Sequence, residues 1–385
     1  VFEDTVIYNF NRLISLNEVG SWPDTFGISN ETFHRFNTKR VRLWPNTINS
    51  TSTHDTKRGE DVRARINVLS EIPEEWEMHL KLWSILNRKW KTITFNHSIP
   101  DSNDEYFFYQ TLLGTFPTDI SELDSFVPRI REYMLKSVRE AKVHTAWITH
   151  DFEYEEGVMA FVTNVLNKNN SDDFFNDFIP FQKKVAFYGL FNSLSQCLLK
   201  ITSPGICDFY QGTELWDLSM VDPDNRRPID FSKRIAILNS IKKLAISEYP
   251  AFINRAFLQW GDGRIKMFLI YRCNKARQDR PELFQNAAYI PITFSGKYKE
   301  HCIGFARKYE EQWAITVVPK FLTSLIKENQ QPLSQKIWED TVLRLPSSSP
   351  PVWYNAITGE VISCEGQLLV GDLFKTFPGA FLISR

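Results

Sequence analysis

Residues 46–58 read NTINSTSTHDTKR, and the rest of the chain is best read outward from them. Positions 46–55 are rich in β-branched Thr and Ile, which favour extended backbone, yet carry almost no apolar surface. A strand this polar does not end in a dry core, because each buried hydroxyl and amide would need a partner there. It is expected to run out into a solvent-filled or ligand-filled place. At its end stand His54 and Asp55, with Lys57 and Arg58 just beyond. Two readings stay open on the residues alone. In one, Asp55 caps the following helix and Lys57 and Arg58 form a solvated face. In the other, the Asp and His point from a strand's C-terminal end into a barrel mouth, where active sites are built. As a metal site the pair is poor, since two adjacent ligand types have no third nearby.

Upstream, residues 4–15 place Val6, Phe10, Leu13 and Ile14 at helical spacing behind a candidate N-cap, Asp4. Downstream, Val62, Ile66 and Leu69 resume a helical stripe, and 71–202 read as helices. Trp76, Leu80, Trp83 and Trp90 lie near one face, and Ile130, Met134 and Val138 recur every four residues. Segment 172–202 is long and apolar, and the Asn/Ser/Asp clusters at 101–104 and 167–173 read as separating loops. Pro204-Gly205 then breaks the chain before a short strand, ICDFYQG, at 206–212. A Pro/Asp/Arg loop at 222–230 leads to a helix capped by Ser232 and ending before Pro250. Beyond about residue 258 the pattern changes. GRIKMFLIYRC, AAYIPITFSG, QWAITVVPKF, TVLRLP, PVWYNAITGE and FPGAFLIS are short, β-branched or aromatic, and set apart by turn residues, which predicts an antiparallel sandwich.

Two further loops could carry chemistry. Tyr210, Gln211 and Glu214 follow the strand at 205–209, either as a strand-to-loop edge or as a turn with a satisfied Glu. In VDPDNRRP, at 221–228, Asp222, Asp224 and Arg226 suggest a calcium loop, but Arg227 stands where Gly is needed and Lys233 where Glu is needed. The alternatives are a rigid loop with internal Asp–Arg pairs and a hydroxyl-binding loop, since Asp accepts and Arg donates paired hydrogen bonds.

Composition narrows the function. At 385 residues, and at about 150 per domain, two or three domains are expected. With 45 Lys+Arg against 46 Asp+Glu, the net charge of −1 argues against a nucleic-acid partner, because phosphate contacts need a cationic excess. No run approaches the roughly 18 apolar residues that span a bilayer, so no membrane partner is expected. Five scattered cysteines form no C-x-x-C pair and no zinc spacing, and read as reduced thiols of a cytoplasmic protein. There is no G-x-G-x-x-G, P-loop or G-x-S-x-G, so no nucleotide cofactor or esterase nucleophile is indicated. Asn96-His97-Ser98 is an N-x-S sequon, and His144 and His150 read as structural. Aromatics reach 14%, which fits a core but also rings that stack on sugars.

EDTVIYNFNRLISLNEVG (3–20), STHDTKRGEDVRARINVLSEIPEEW (52–76), YQTLLGTFP (109–117), YMLKSVREAKVHTAW (133–147) and NSLSQCLLKITSPGICDFYQGTELWDLSMVDPDNRRPIDF (192–231) together closely resemble the C-terminal half of the maltooligosyl trehalose synthase family. That family is a member of the α-amylase superfamily, glycoside hydrolase family 13. The resemblance implies an α/β plus β fold. It would comprise the C-terminal part of a (β/α)8 barrel with a large helical insertion, followed by an antiparallel β-sandwich domain. The parts are a barrel segment with the seventh strand (1–70), the helical insertion (71–202), the eighth strand, loop and last barrel helix (203–257) and the sandwich (258–385).

The resemblance also implies a chemistry without cofactor or metal. The reducing-end α-1,4 linkage of a maltooligosaccharide becomes an α,α-1,1 linkage, as a retaining glycosidase would do with glucose in place of water. By the same resemblance a maltooligosyltrehalose trehalohydrolase acts on the product. Asp55 matches the family's third acidic residue, which binds sugar hydroxyls and supports the oxocarbenium-like transition state. His54 would bond the same sugar, and Lys57, Arg58, Tyr210, Gln211 and Glu214 would hold glucose through its turnover. Asp222, Asp224 and Arg226 are further substrate-binding candidates. Cys207 stands where the family has Pro, a change expected to alter a turn but not the reaction. The family's nucleophile and acid/base lie upstream of Val1, so the isolated chain is expected to be inactive. The competing readings are an α-glucan-binding or assembly module and an α-amylase-type hydrolase.

Overall fold

The computed structural model describes residues 2–94 and 98–385, so the sequon at Asn96 lies outside the described residues. The helices are α1 (Phe2–Asn9), α2 (Asn30–Leu43), α3 (Glu60–Asn67), α4 (Pro73–Asn87), α5 (Ser102–Thr115), α6 (Leu123–Ala141), α7 (Phe152–Val165), α8 (Asp172–Thr202), α9 (Phe231–Lys242), α10 (Tyr249–Leu258), α11 (Arg264–Gln278), α12 (Pro281–Asn286), α13 (Gln335–Trp338) and α14 (Val370–Leu373). The strands are β1 (Ile48–Asn49), β2 (Thr92–Ile93), β3 (Ser98–Ile99), β4 (Ile206–Cys207), β5 (Ala288–Pro291), β6 (Thr293–Ser295), β7 (Cys302–Tyr309), β8 (Gln312–Pro319), β9 (Val342–Arg344), β10 (Val352–Asn355), β11 (Val361–Ser363), β12 (Gln367–Leu369) and β13 (Ala380–Ser384). Two compact units share this chain. One gathers Val1–Phe26, Ser52–Leu190 and Asp217–Arg227; the other gathers Gly27–Thr51, Phe191–Trp216 and Pro228–Arg385. Among the described residues no helix is long and apolar enough to cross a membrane.

The first unit is helical, as expected over most of 71–202. In α6 the residues at three- and four-residue spacing, from Leu123 and Phe126 through Ile130, Met134 and Val138 to Ala141, are the buried ones. Its core centres on Trp83. That ring lies 5.4 to 5.9 Å, centroid to centroid, from Trp76, His79, Tyr109, Phe174, Phe178 and Phe181. Its indole N–H donates to Asp177 at 2.6 Å, which satisfies the one polar atom the ring buries. Two expectations fail here. The helix expected over 4–15 stops at Asn9, where Asn9 and Asn11 spend their side chains on backbone carbonyls and Gln110 captures the Ile14 N–H. Asp4 lies inside that helix and does not cap it. Cluster 101–104 is not a separating loop, because Asp101 accepts from Asp104 N at 2.8 Å and starts α5.

Asp104 itself is 8% exposed and accepts a 2.5 Å hydrogen bond from Tyr154 Oη. Asp101 beside it accepts from His144 Nε2 at 2.8 Å. The ligand-type atoms of Asp101, Asp104 and His144 lie within 4.8 Å of one another, and hydrogen bonds already engage them. Burial lifts the Asp104 carboxyl from its ordinary 3.8 to about 6; the Asp101 charge adds to this, and the Tyr154 hydroxyl and His144 oppose it. A raised carboxyl favours the folded state when protonated, so its contribution is complete below about pH 3.8 and is lost as pH rises through 6. Asp104→Asn keeps an acceptor for Tyr154 and has no proton to lose. Relative to wild type it should gain ~3 kcal/mol between pH 2 and pH 7. Urea unfolding at stepped pH measures this, and parallel stability profiles for the two proteins would refute it.

The second unit holds two antiparallel sheets, ordered β11-β10-β13-β8-β7-β5 and β12-β9-β6. Strands β7 and β8 form a hairpin turning on Glu310 and Glu311, with Tyr309 opposite Gln312. One face of the six-stranded sheet supplies Cys302, Ala306, Ile315, Val317, Trp353 and Leu382 to a core shared with Leu343 and Leu368 of the smaller sheet. The other face packs on helices, with Phe305 6.5 Å from Phe33 of α2 and Phe381 5.8 Å from Phe284 of α12. Segment 263–273, expected as a strand, is instead the start of α11, with Ile265, Phe268, Leu269 and Cys273 buried at helical spacing. The strands therefore begin at Ala288. Helix α9 starts earlier than expected: Asp230, and not Ser232, caps it by accepting from Lys233 N at 2.9 Å. It ends at Lys242, and Pro250 opens α10.

Candidate active site

In the second unit the polar strand is real but short. Strands β1 and β4 pair in parallel, with Ile48 opposite Ile206 and Asn49 opposite Cys207, so each expected strand shrinks to two residues. Ile206 N donates to Thr47 O at 2.8 Å and Asp208 N to Asn49 O at 2.9 Å. The buried Asn49 amide donates to Pro204 O at 2.9 Å and accepts from the Arg40 guanidinium. Gly205, at φ +114°, is needed here: a Cβ would lie 2.5 Å from Thr47 O. After β4 the chain turns, with Thr213 N and Oγ1 both donating to Tyr210 O. Arg234 closes this turn by donating to Gly212 O at 2.8 Å and to the Glu214 carboxylate at 3.2 Å. Tyr210 is half-buried and Gln211 exposed.

In the first unit, loop 52–61 is fastened along its backbone. Glu60 N donates to Ser52 Oγ at 3.0 Å, and Gly59 N to Ser219 O at 2.9 Å. Gly59 packs so closely that a Cβ would lie 2.5 Å from Asp217 O. Asp61 accepts from Asp217 N at 2.7 Å. The main fastening is Glu18, 8% exposed, whose carboxylate accepts from Lys57 N at 2.8 and 3.0 Å, Arg58 N at 3.3 Å and Val19 N at 2.9 Å. The sequence reading missed Glu18, since nothing in Leu16-Asn17-Glu18-Val19-Gly20 marks a partner some forty residues away.

On this fastened loop His54 and Asp55 stand out, each side chain 62% exposed, with Nε2 to Oδ2 at 3.2 Å. Arg226 reaches the other Asp55 oxygen at 3.6 Å, and it and Asn225 donate to the His54 carbonyl at 3.4 and 3.1 Å. The carboxylate is thus flanked by an imidazole and a guanidinium while remaining open to solvent. Such a group can take a pair of neighbouring hydroxyls. Asp55 does not cap α3; the N-cap is Gly59. Nor are Lys57 and Arg58 a solvated face. Arg58 is 1% exposed, donating to Asn17 O at 3.0 Å and Tyr133 Oη at 3.1 Å, and Lys57 turns toward Asp4 at 3.5 Å.

Loop 222–227 is rigid through its ion pairs. Arg129 grips Asp224 with two hydrogen bonds, at 2.7 and 2.9 Å, Met220 N adds another at 2.9 Å, and Arg227 lies 2.8 Å away. Burial alone would raise the Asp224 carboxyl, but Arg129, Met220 N and Arg227 together outweigh it and hold the group below the usual carboxylate range. Asp222 meets Lys136 at 3.0 Å. Within the first unit, then, His54, Asp55 and Arg226 come together, with Asp222 and Asp224 fixing the loop that carries Arg226. Tyr210, Gln211 and Glu214 belong to the second unit.

No protein-family model matches the chain. Curated proteins of two Mycobacterium tuberculosis strains, CDC 1551 / Oshkosh and H37Rv, provisionally named maltooligosyl trehalose synthases, are 32% identical over 384 residues. These cover 99% of this chain and 43% of theirs. The solved maltooligosyltrehalose synthase of Arthrobacter ramosus is 31% identical with a TM-score of 0.79, covering 100% of this chain and 44% of that one. A hypothetical maltooligosyl trehalose synthase of Sulfolobus tokodaii gives 33% and 0.74, covering 100% and 45%. The chain spans less than half the length of the curated relatives it matches. In sequence and in structure it is a relative of the maltooligosyl trehalose synthases, corresponding to one portion of them.

Proposed function

We propose that these residues form part of an enzyme that isomerises the reducing-end α-1,4-glucosidic bond of a maltooligosaccharide to an α,α-1,1 bond. The observation that carries this reading is the exposed Asp55 carboxylate, set between His54 and Arg226 on a loop that the protein holds by its backbone. In the reaction, a nucleophilic carboxylate and an acid/base supplied by the relatives' further length would break and remake the bond through a glycosyl-enzyme. Asp55 would bind sugar hydroxyls and favour the charge that develops on the ring. His54 would bond the same sugar, and Lys57 would help hold the released glucose until it has turned over. Retaining that glucose and excluding water is what separates isomerisation from hydrolysis. Arg58, Asp222 and Asp224 are engaged with the protein, so their role is to shape the two loops, and Arg226 steadies Asp55. The parallel pair would belong to a (β/α)8 barrel of glycoside hydrolase family 13, and the two antiparallel sheets to a C-terminal sandwich.

Reducing ends distinguish the outcomes. Incubated with maltopentaose, a complete synthase carrying these residues should consume reducing ends without net release of glucose, whereas the 385 residues alone should leave them unchanged. A rise in reducing ends would instead identify a hydrolase. Glucan binding without turnover, even by the complete polypeptide, would identify a binding module.

A further inference from the structure

Between α6 and α7 of the first unit lies an open groove of about 550 Å³, lined by Arg131, Leu135, Phe152, Glu156, Met159 and Asn164 among others. That volume falls in the range of roughly 300–1,000 Å³ typical of small-ligand sites. None of these residues belongs to the loops described above. We infer that this groove is a second carbohydrate site, which takes a short α-1,4-glucan; the inference rests on the α-glucan reading of the protein.

The lining has the chemistry of a pyranose, which presents an apolar face and a rim of hydroxyls. Phe152 is 67% exposed, and Leu135 and Met159 extend the apolar floor around it. The ring is backed: His150 stacks on it at 5.4 Å and 17°. His150 is in turn held to Glu155 at 3.1 Å, and Glu155 is fixed by Arg139, at 2.9 and 2.6 Å, and by Thr145 at 2.7 Å. Hydrogen bonding by Arg139 leads in pulling the Glu155 carboxyl down to about 2, so this anchor stays ionised. A platform held this way loses little freedom when a ligand stacks on it.

Polar groups stand on the rim. Arg131 lines the groove and brings guanidinium donors to it. Asn164 offers a donor and an acceptor, and Glu156 an acceptor. With Glu155 neutralised by Arg139, the charges of Arg131 and Glu156 balance. A groove with donors and acceptors but no net charge suits an uncharged polyhydroxy ligand over a phosphate or an acidic peptide.

The test is maltoheptaose binding by the full chain, measured by calorimetry, with cellohexaose as the β-linked control. Wild type should bind maltoheptaose and not cellohexaose. Phe152→Ala and Arg131→Met should each weaken this binding at least tenfold. Phe152 is largely exposed, so its loss should not alter the far-ultraviolet circular dichroism. Unchanged affinity in both groove variants, equal binding of cellohexaose, or no binding by wild type would each overturn the inference. Any of these outcomes leaves the α-glucan reading itself standing, which falls only by the reducing-end assay.

Discussion

Asp55→Asn, placed in a complete synthase, should lower kcat by about 10²–10³-fold while KM changes far less, the pattern expected when transition-state charge loses its support. The substitution is nearly isosteric. Because the side chain is 62% exposed, its neutral form leaves no buried group unsatisfied, and the folded structure should persist. What is lost is the negative charge that His54 Nε2 and Arg226 face at 3.2 and 3.6 Å. An amide still accepts one hydroxyl but cannot support a developing oxocarbenium ion. Steady-state kinetics on maltopentaose measure the split. A variant with wild-type kcat would remove Asp55 from the chemistry and leave only a surface Asp–His pair.

Glu18→Ala should have the largest effect on stability. It strips the acceptor from Lys57 N, Arg58 N and Val19 N together, at a position that is 8% exposed. Leaving a buried donor unpaired costs about 1–3 kcal/mol, so with partial rescue by water a loss of ~3 kcal/mol in urea unfolding is expected. Glu18→Gln retains one acceptor oxygen and should recover about half of that. In the complete enzyme both variants should also lower kcat, since the backbone they release carries Asp55. Wild-type stability in Glu18→Ala would mean that the loop is held by its other bonds to Ser52, Ser219 and Asp217.

The helical half of the protein was legible because its periodicity is clean: Ile130, Met134 and Val138 announce the buried face of α6. Run IKMFLIY in α11 was not, because consecutive apolar residues carry no period, and only the length of the element separates a buried helix from a strand. Strand β7, CIGFARKY, escaped notice for the opposite reason. Its Gly, Ala and Lys are poor strand formers, and its place between β5 and β8 is set by partners elsewhere in the chain. Around Asp55 the same division holds. The rigid Asp–Arg reading of 222–227 rests on residues close together, and the structure has those pairs, with Arg129 added from α6. The burial of Arg58 depends on Asn17 and Tyr133, and the hold on Lys57 on Glu18, contacts that no local pattern encodes.

Each compact unit is stitched from three separate stretches of chain, and this constrains how the molecule comes off the ribosome. The unit that 27–51 join is not complete until residues 228–385 follow, and the other unit needs 217–227. Strand β1 must likewise wait for β4, because the parallel pair needs both strands present. Protease nicks at the stretch boundaries would leave each unit assembled from several fragments. Swapping parts with a relative would succeed only if all three stretches of a unit were exchanged together.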